Sequence, residues 1–314
     1  MARPDRTTLV AFIGVVLFGG LNAIAVKQTV AELDPFWGAG SRFLAAGLIF
    51  LAIVVVRRRP IPRGRPFVGA MAYGAVGFAA AFGLIYPGLQ RVPAGTASVV
   101  LALSPLATYA LAVVQRQERL QGLTVIGGVI ALAGVGIVFA DQMGAAVPLG
   151  SLALVAGGMV CLSESGVIAK AIPRSDPFAT NAIGMLTAGA VLTAVSFLAG
   201  EAQAVPARTT TWLAVGYIVV FGSVALFGLY LRGLQRWSAS AMSYTTLLLP
   251  LVSVSAATVL TGEHLSPSLV IGGVVIVAGV YLGAFQAPRP RRSTATSMPE
   301  CLPTEDCAES PRRA

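Results

Sequence analysis

The chain has 314 residues, of which 56% are apolar and only 11% are charged, and its formal net charge is +9. A soluble domain needs far more charge on its surface, so this composition excludes an ordinary soluble protein and favours a membrane protein. The basic residues flank apolar stretches, so nucleic acid is not a predicted partner. The three cysteines and one histidine have no metal-ligand spacing, and no metal, cofactor or catalytic residue is predicted.

Apolar stretches of about twenty residues follow one another along the chain, separated by short polar connections. A helix of that length crosses a hydrocarbon core about 30 Å thick. In chain order the predicted spans are 9–28, 36–56, 67–87, 94–114, 122–140, 148–171, 178–200, 212–234, 239–260 and 268–286. The first span has the basic start of a signal peptide, but a counterpart of it recurs later in the chain, which favours a retained helix.

An internal repeat relates the two halves of the chain. The segment Gly88-Leu89-Gln90-Arg91 recurs as Gly233-Leu234-Gln235-Arg236, an offset of 145 residues. The same offset relates further pairs without a gap, namely Pro105 and Pro250, Glu118 and Glu263, and the Gly-Gly-Val segments at 127–129 and 272–274. Each repeat holds five spans, and an odd number gives the two halves opposite orientations. The sequence therefore predicts an all-α integral membrane protein with ten transmembrane helices in two inverted five-helix repeats, 9–140 and 148–286.

The distribution of basic residues predicts the orientation in the membrane. With the N-terminus inside, eighteen Lys and Arg residues fall in inner segments, and only Arg91 and Arg208 fall in outer loops. We therefore expect a multi-pass protein of the inner (plasma) membrane with both termini in the cytoplasm. These termini are residues 1–8 and a polar tail, 287–314, which is predicted to be disordered.

The motifs of the first two spans and their duplicated order resemble a known family. The motifs are Phe18-Gly19-Gly20-Leu21-Asn22 running to Lys27, Asp34-Pro35-Phe36 followed by Arg42-Phe43, and the repeated Pro, Glu and Gly-Gly positions. Over roughly residues 9–286 the chain resembles the EamA family of ten-helix permeases in the drug/metabolite transporter superfamily. The first span departs from the family at Phe18, where a tryptophan is common.

The resemblance implies a secondary transporter that exports a small metabolite, amino acid or drug-like solute by alternating access. A membrane-embedded enzyme that modifies lipids and a passive channel or facilitator are the alternatives. The absence of a nucleophile motif or a metal-ligand cluster argues against an enzyme. The expected partners are a small-molecule solute and the lipid bilayer, and a homodimer is left open.

Two charged residues inside predicted spans are candidates for function, because a charge at membrane depth is costly unless it is paired or hydrated. Arg42 lies in the second span on a face rich in small residues, and it is either an anion or carboxylate clamp or a structural arginine that binds helix carbonyls. Glu164 lies in the sixth span and could couple transport to protons. The structural alternatives for Glu164 are pairing with Lys170 and a packing hydrogen bond.

Four polar or aromatic residues complete the predicted solute site. Asn22 lies one turn before Lys27 and could bind solute or bridge helices. Tyr73, Tyr86 and Tyr244 lie in or near spans three and nine, although some tyrosines in such positions only form interfacial belts. Two further groups have simpler structural interpretations, namely Lys27 as a snorkelling residue and Glu118 with Glu263 as helix caps or gate contacts.

Overall fold

The structure is a computed structural model that describes residues 5–140, 148–173, 175–261 and 267–285. Within these ranges all regular secondary structure is helical. The expectations for Glu263, the side chain of Lys27 and the tail 287–314 concern residues that the structure does not describe, and so does the one histidine, His264.

We number the helical segments in chain order. They are α1 (Arg6–Thr29), α2 (Pro35–Val56), α3 (Arg65–Leu89), α4a (Ala94–Leu101), α4b (Ser104–Val114), α5 (Gly122–Val138), α6 (Leu149–Ala171), α7 (Pro177–Leu198), α8 (Thr209–Arg236), α9a (Ala239–Ser243), α9b (Thr245–Thr261) and α10 (Pro267–Phe285). Three of these helices contain a π-helical stretch: Ala75–Ala80 in α3, Val220–Ala225 in α8 and Tyr281–Phe285 in α10. The stretches in α3 and α8 are related by the 145-residue offset of the sequence repeat.

Nine helices in the described part of the chain are long and apolar enough to cross a membrane. The remaining apolar helix, α5, has only 17 residues and ends at Val138, two residues before the end of the predicted span. At 1.5 Å per residue it is about 25 Å long, which is shorter than a typical hydrocarbon core. The all-α membrane fold is thus confirmed, and within the described ranges nine helices rather than ten meet the length requirement.

The contact between α2 and α7 is reciprocal. A Cβ atom built on Gly47 of α2 would lie 2.9 Å from Leu186 of α7, and one built on Gly189 of α7 would lie 2.6 Å from Leu44 of α2. The two contacts are exchanged by an offset of 142 residues. Because residue numbers rise along one helix as they fall along the other, the helices are antiparallel. A two-fold axis that exchanges them is perpendicular to both, as in an isologous interface.

The pair formed by α5 and α10 repeats this arrangement through glycines. A Cβ atom on Gly127 would lie 2.7 Å from the carbonyl oxygen of Gly279, and one on Gly134 would lie 2.8 Å from the carbonyl oxygen of Gly272. Small residues let helix backbones touch, which is the usual way membrane helices pack closely. The reciprocal contacts fit an architecture of two repeats.

The first turns of α2 and α7 are capped differently, although both follow an Asp-Pro pair. Asp176 accepts hydrogen bonds from the backbone N–H groups of 178 and 179, at the start of its own helix α7. Asp34 makes no such bond, and the carboxylate of Glu201 accepts from the backbone N–H groups of 36 and 37 instead. Helix α2 is therefore capped from the connection between α7 and α8, in the other half of the chain.

Candidate functional site at Arg42

The guanidinium group of Arg42 is buried where α2 crosses the π-helical stretch of α8. Arg42 is only 2% exposed. Its Nε donates to Ser223 Oγ (2.8 Å) and its Nη2 to the Gly222 carbonyl (2.8 Å), both on α8. Its Nη1 donates to the Tyr86 hydroxyl of α3 (3.1 Å). Three helices thus converge on one positive charge.

The π-helical stretch of α8 supplies two of these three acceptors. A π-helical turn has hydrogen bonds between residues five apart, which widens the helix, and such turns are frequent at functional sites. Ser223 Oγ also donates to the carbonyl of Ile218, five residues earlier, at 2.8 Å. That bond orients the hydroxyl so that its lone pairs can accept from Arg42.

The groups that the structure describes around the guanidinium of Arg42 are neutral. The guanidinium carbon lies 5.2 Å from the ring centre of Phe43 and 5.5 Å from that of Phe82, within the range of cation–π attraction. Among the described residues no carboxylate is within ion-pair distance of Arg42. A buried charge that lacks a counter-ion is costly, so this arginine is an unusual feature of a helix-packing interface.

Asn22 of α1 borders the same glycine of α8. A Cβ atom on Gly222 would lie 2.1 Å from Asn22 Oδ1 and 3.6 Å from Arg42 Nη2. Asn22 Oδ1 is buried and has no hydrogen-bond partner. A charged donor group and an unused acceptor therefore stand side by side. We call the set Asn22, Arg42, Tyr86, Gly222 and Ser223 the Arg42 site.

Tyr73 belongs to an aromatic cluster beside the Arg42 site and does not contact the guanidinium. Its ring lies 5.0 Å from that of Phe78, which lies 5.0 Å from that of Phe43. The Tyr73 hydroxyl donates to Asn181 Oδ1 at 3.5 Å, and Asn181 is fully buried. Of the predicted solute-binding residues, the structure thus brings Asn22, Arg42 and Tyr86 together. Tyr73 is separated from Arg42 by the rings of Phe78 and Phe43.

Tyr244 lies apart from this group. Its hydroxyl donates to the carbonyl of Thr124 (2.5 Å), and it packs against Gly128 of α5 and Gly283 of α10. This tyrosine joins α9b to the pair formed by α5 and α10. Its contacts describe helix packing, and the structure does not bring it to the Arg42 site.

Glu164 of α6 is half-buried and is bound by a neutral partner. The side-chain amide of Gln115, the residue that follows α4b, donates to both carboxylate oxygens at 2.8 Å. Lys170, the alternative partner considered above, donates to the carbonyls of Leu234 and Trp237 instead. Glu164 is therefore a helix-joining carboxylate with exposure to solvent, and it does not contact Arg42.

Sequence reasoning missed Gly222 and Ser223 as members of the site. A signal for them is present in the repeat, because the same offset relates them to Gly77 and Phe78. The glycine is kept in both halves, and the aromatic residue is replaced by a hydroxyl. A polar departure from the repeat inside an apolar span is the kind of difference that a functional site produces.

The structure also has two concave regions away from this site. One, of about 690 Å³, is an apolar groove between α9b and α10. The other, of about 340 Å³, lies beside Lys170 between α8 and the start of α7. Neither is lined by the predicted site residues. Across the described ranges no group of three or more His, Cys, Asp and Glu side chains could hold a metal ion.

The long apolar helices and the duplicated packing define the class of a multi-pass membrane protein built from two repeats, and a buried charge in the bundle is typical of a transport pathway. The model of the EamA-like transporter family matches residues 6–140 and 149–284. The chain belongs to the EamA-like transporter family, and each match covers one half of it.

Relatives and a solved structure agree with this assignment. The chain is 30% identical to the uncharacterized inner membrane transporter YedA of Escherichia coli K12, over 88% of this chain and 92% of the relative. It is 26% identical to a probable amino-acid metabolite efflux pump of Salmonella typhimurium, over 90% and 96% of the two chains. A crystal structure with 22% identity covers 90% of this chain and 97% of its own, with a TM-score of 0.75, and supports the fold.

Proposed function

We propose that this protein is a secondary transporter of the inner membrane that exports a small organic solute by alternating access, with the Arg42 site in the solute pathway. The observation that carries the proposal is the buried guanidinium of Arg42, which has only neutral partners among the described residues. A charge at membrane depth that lacks a counter-ion is characteristic of substrate pathways.

The proposed architecture is ten transmembrane helices in two inverted repeats, with both termini in the cytoplasm. The antiparallel, reciprocal packing of α2 on α7 and of α5 on α10 supports an axis in the membrane plane. In transporters of this kind the solute site lies near the bilayer midplane between the repeats, and rocking of one repeat against the other exposes it to each side in turn. The position of Arg42 supports this proposal, because α2 and α8 belong to different repeats.

Two comparisons support export of a small solute over the other functions. The family match and the relatives named as transporters favour transport over an enzyme that modifies lipids. The relative named as an amino-acid metabolite efflux pump supports export and a metabolite-sized solute. A passive facilitator would share the fold, so the deciding measurement has to separate a carrier from a channel.

Counterflow in proteoliposomes makes that separation. The full-length protein is reconstituted with panels of unlabelled organic acids, amino acids and cationic drugs inside, and uptake of the same labelled solute from outside is followed. A carrier accelerates uptake when the lumen contains the solute, and a channel does not. We expect such acceleration for the wild type and for Arg59→Gln, which removes the ion pair of Arg59 with Asp176 (3.3 Å) and its cation–π contact with Phe178. Arg42→Gln should weaken it strongly, whereas equal counterflow in the two variants would contradict the proposed site.

A further inference from the structure

We infer that the Arg42 site binds the carboxylate of a small organic acid that carries a hydrogen-bond donor, a hydroxyl or an amino group, on the adjacent carbon. The inference deepens the proposed transport function and rests on it for the route by which the acid reaches the site. The juxtaposition that carries it is the partly used guanidinium of Arg42 beside the unpartnered Oδ1 of Asn22.

The guanidinium of Arg42 has N–H groups that make no hydrogen bond to the described residues. Arginine carries five N–H groups, and Arg42 uses one at each of its three nitrogens. Nη1 and Nη2 therefore each keep one N–H. A carboxylate accepts from two such groups at once, and it also supplies the negative charge that the described neighbours of Arg42 do not provide. A phenol, a hydroxyl and a carbonyl satisfy hydrogen bonds here, but they leave the charge uncompensated.

The acceptor on Asn22 sets the second requirement. Its Oδ1 is buried and unused, and it borders the same glycine as Arg42 Nη2. A buried acceptor without a donor is unfavourable, so a ligand gains by bringing an O–H or N–H to it. With the carboxylate on Arg42, the group within reach of Asn22 is on the neighbouring carbon. A 2-hydroxy acid and a 2-amino acid share this chemistry.

The surroundings also decide against a cationic solute. The guanidinium also lies against the rings of Phe43 and Phe82, which suit an apolar side chain of the solute. No described carboxylate lies against this site, so an amine without its own carboxylate would meet the repelling charge of Arg42 with no opposite charge to offset it. The arginine is almost fully buried, so α8 has to separate from α2 before a solute can enter.

Four related probes that share the phenylethyl group test the inference. 3-Phenyllactate carries a carboxylate and a hydroxyl, and phenylalanine carries a carboxylate and an amino group. 3-Phenylpropionate carries the carboxylate alone, and phenethylamine carries the amino group alone. Lactate, alanine, propionate and ethylamine form the same series with a smaller side chain. Binding is measured on the full-length protein in detergent by the rise in unfolding temperature with probe concentration, which gives an affinity.

In at least one of the two series, we expect the hydroxy acid, the amino acid or both to bind about tenfold or more tightly than the unsubstituted acid. We expect the amine not to bind. Which of the two substituted acids binds better identifies the donor as hydroxyl or ammonium. Asn22→Leu should erase the advantage over the unsubstituted acid, and Arg42→Lys should weaken every acid. If either variant does not fold, the wild-type series still decides.

Three results would overturn the inference: tighter binding of the amine, equal binding of substituted and unsubstituted acids, and no binding in either series. Counterflow keeps this test separate from that of the proposed function. Transport of a solute that is not an acid, with no acid bound, removes the inference and leaves a transporter. Acid binding without counterflow of any bound acid leaves the site and removes the transport function.

Discussion

The crossing of α2 with the π-helical stretch of α8 has an equivalent in the other half of the molecule, where α7 meets the π-helical stretch of α3. In the first crossing Asn22 borders Gly222. In the second, the repeat-equivalent Ser165 borders Gly77, on which a Cβ atom would lie 2.6 Å from Ser165 Oγ. The backbone frame is therefore duplicated, down to the glycine that admits a polar side chain from the neighbouring helix.

The side chains at equivalent positions of the two crossings differ in polarity and in their hydrogen-bond partners. Ser165 Oγ donates to a carbonyl of its own helix, that of Leu162, at 2.7 Å. Gly184 stands where α2 has Arg42, and Phe78 stands where α8 has Ser223. One crossing is neutral and self-satisfied, and the other holds a charge and an unused acceptor. The repeat thus contains two similar helix crossings, and among these described residues only the crossing of α2 with α8 has a charged side chain and an unpartnered acceptor.

The neutral crossing is also packed more closely. A Cβ atom on Gly74 of α3 would lie 2.0 Å from the carbonyl oxygen of Gly184, so the two backbones touch. At the equivalent positions of the other crossing the residues are Val219 and Arg42, which have side chains and cannot approach as closely as two glycines. The comparison predicts that one crossing keeps the bundle together while the other parts to admit solute.

The strongest test of this comparison is Arg42→Gln, which makes the polar crossing neutral. Loss of the charged donor should lower transport of the identified solute roughly 10- to 100-fold, because a hydrogen bond to a charged group is worth about 1.5–3 kcal/mol. Initial rates of proteoliposome uptake at matched protein amounts measure the effect. The unfolding temperature should change little, and a loss of folded protein instead would make Arg42 a packing residue.

The second test is Gly74→Ala in the neutral crossing, with Gly216→Ala as its control. The added methyl group would meet the backbone of Gly184, and overpacking of this kind costs about 1–3 kcal/mol. Gly216 lies in α8, and a Cβ atom there meets nothing within 4 Å, so alanine should be neutral or slightly stabilising. Thermal unfolding in detergent compares the two variants. Equal stabilities would show that the close approach at Gly74 does not hold the bundle.

A third test asks whether the carboxylates at the predicted cytoplasmic end carry coupling. If Glu164 transfers a proton during transport, Glu164→Gln should leave solute binding in place and make uptake independent of an imposed pH gradient. Glu118 is the control carboxylate, because it accepts from the backbone N–H of Ser240 (3.1 Å) and also from the Ser240 hydroxyl. Glu118→Gln should lower stability by about 1 kcal/mol and keep the gradient dependence. Unchanged gradient dependence in Glu164→Gln would make it a packing residue.

Much of the site could be predicted because charge at membrane depth is informative. Arg42 and Asn22 stand out in apolar spans, and their placement against small residues points inward. Gly222 and Ser223 could not be predicted in the same way, since a π-helical turn leaves no mark in the periodicity of an apolar span. Tyr244 was included for its polarity, but a buried phenol needs only one acceptor, and the carbonyl of Thr124 meets that need as well as a solute would.

The fold shows a similar division between what the repeat encodes and what packing adds. The offset between equivalent segments, such as Asp34 and Asp176 at the starts of α2 and α7, was sufficient to predict paired halves. The different capping of these two helices was not predictable, because Glu201 lies far from α2 in sequence and belongs to no repeated motif. The short α5 was also not predictable, because apolar residues continue past Val138, where the helix ends.

The last and smallest effect concerns the connections at the two ends of the bundle. At the end predicted to face outward, the connection between α7 and α8 is bound by acids that precede α2. Asp34 accepts from the backbone N–H of Ala202 (2.9 Å), and Glu32 accepts from that of Ala207 (3.0 Å) and pairs with Arg208 at 3.3 Å. At the opposite end the described ion pair of the equivalent connection is Arg59 with Asp176, at 3.3 Å. The connection between α7 and α8 is therefore held by more side-chain bonds than its repeat equivalent between α2 and α3.

Acidification should loosen this outward connection. Partial burial alone would raise the pKa of the Glu32 carboxyl, but hydrogen bonds from Thr211, Ala207 and Arg208 and the charge of Arg208 outweigh it, so that pKa is lowered in the folded protein. Because the folded value is the lower one, the stabilisation is complete above the ordinary pKa of 4.5 and is lost as the pH falls through the lowered value.

Trp37 reports on the connection, since its indole N–H donates to the carbonyl of Ala204 at 2.8 Å. In protein with Trp212 and Trp237 replaced by phenylalanine, its fluorescence should shift as the pH is lowered below the ordinary value for glutamate, while the helical circular dichroism is kept. Glu32→Gln should remove most of that shift, because an amide does not titrate. Glu118→Gln, at the other end of the bundle, should leave the shift unchanged. An identical pH response in Glu32→Gln would mean that another acid of the connection, Asp34 or Glu201, controls its release.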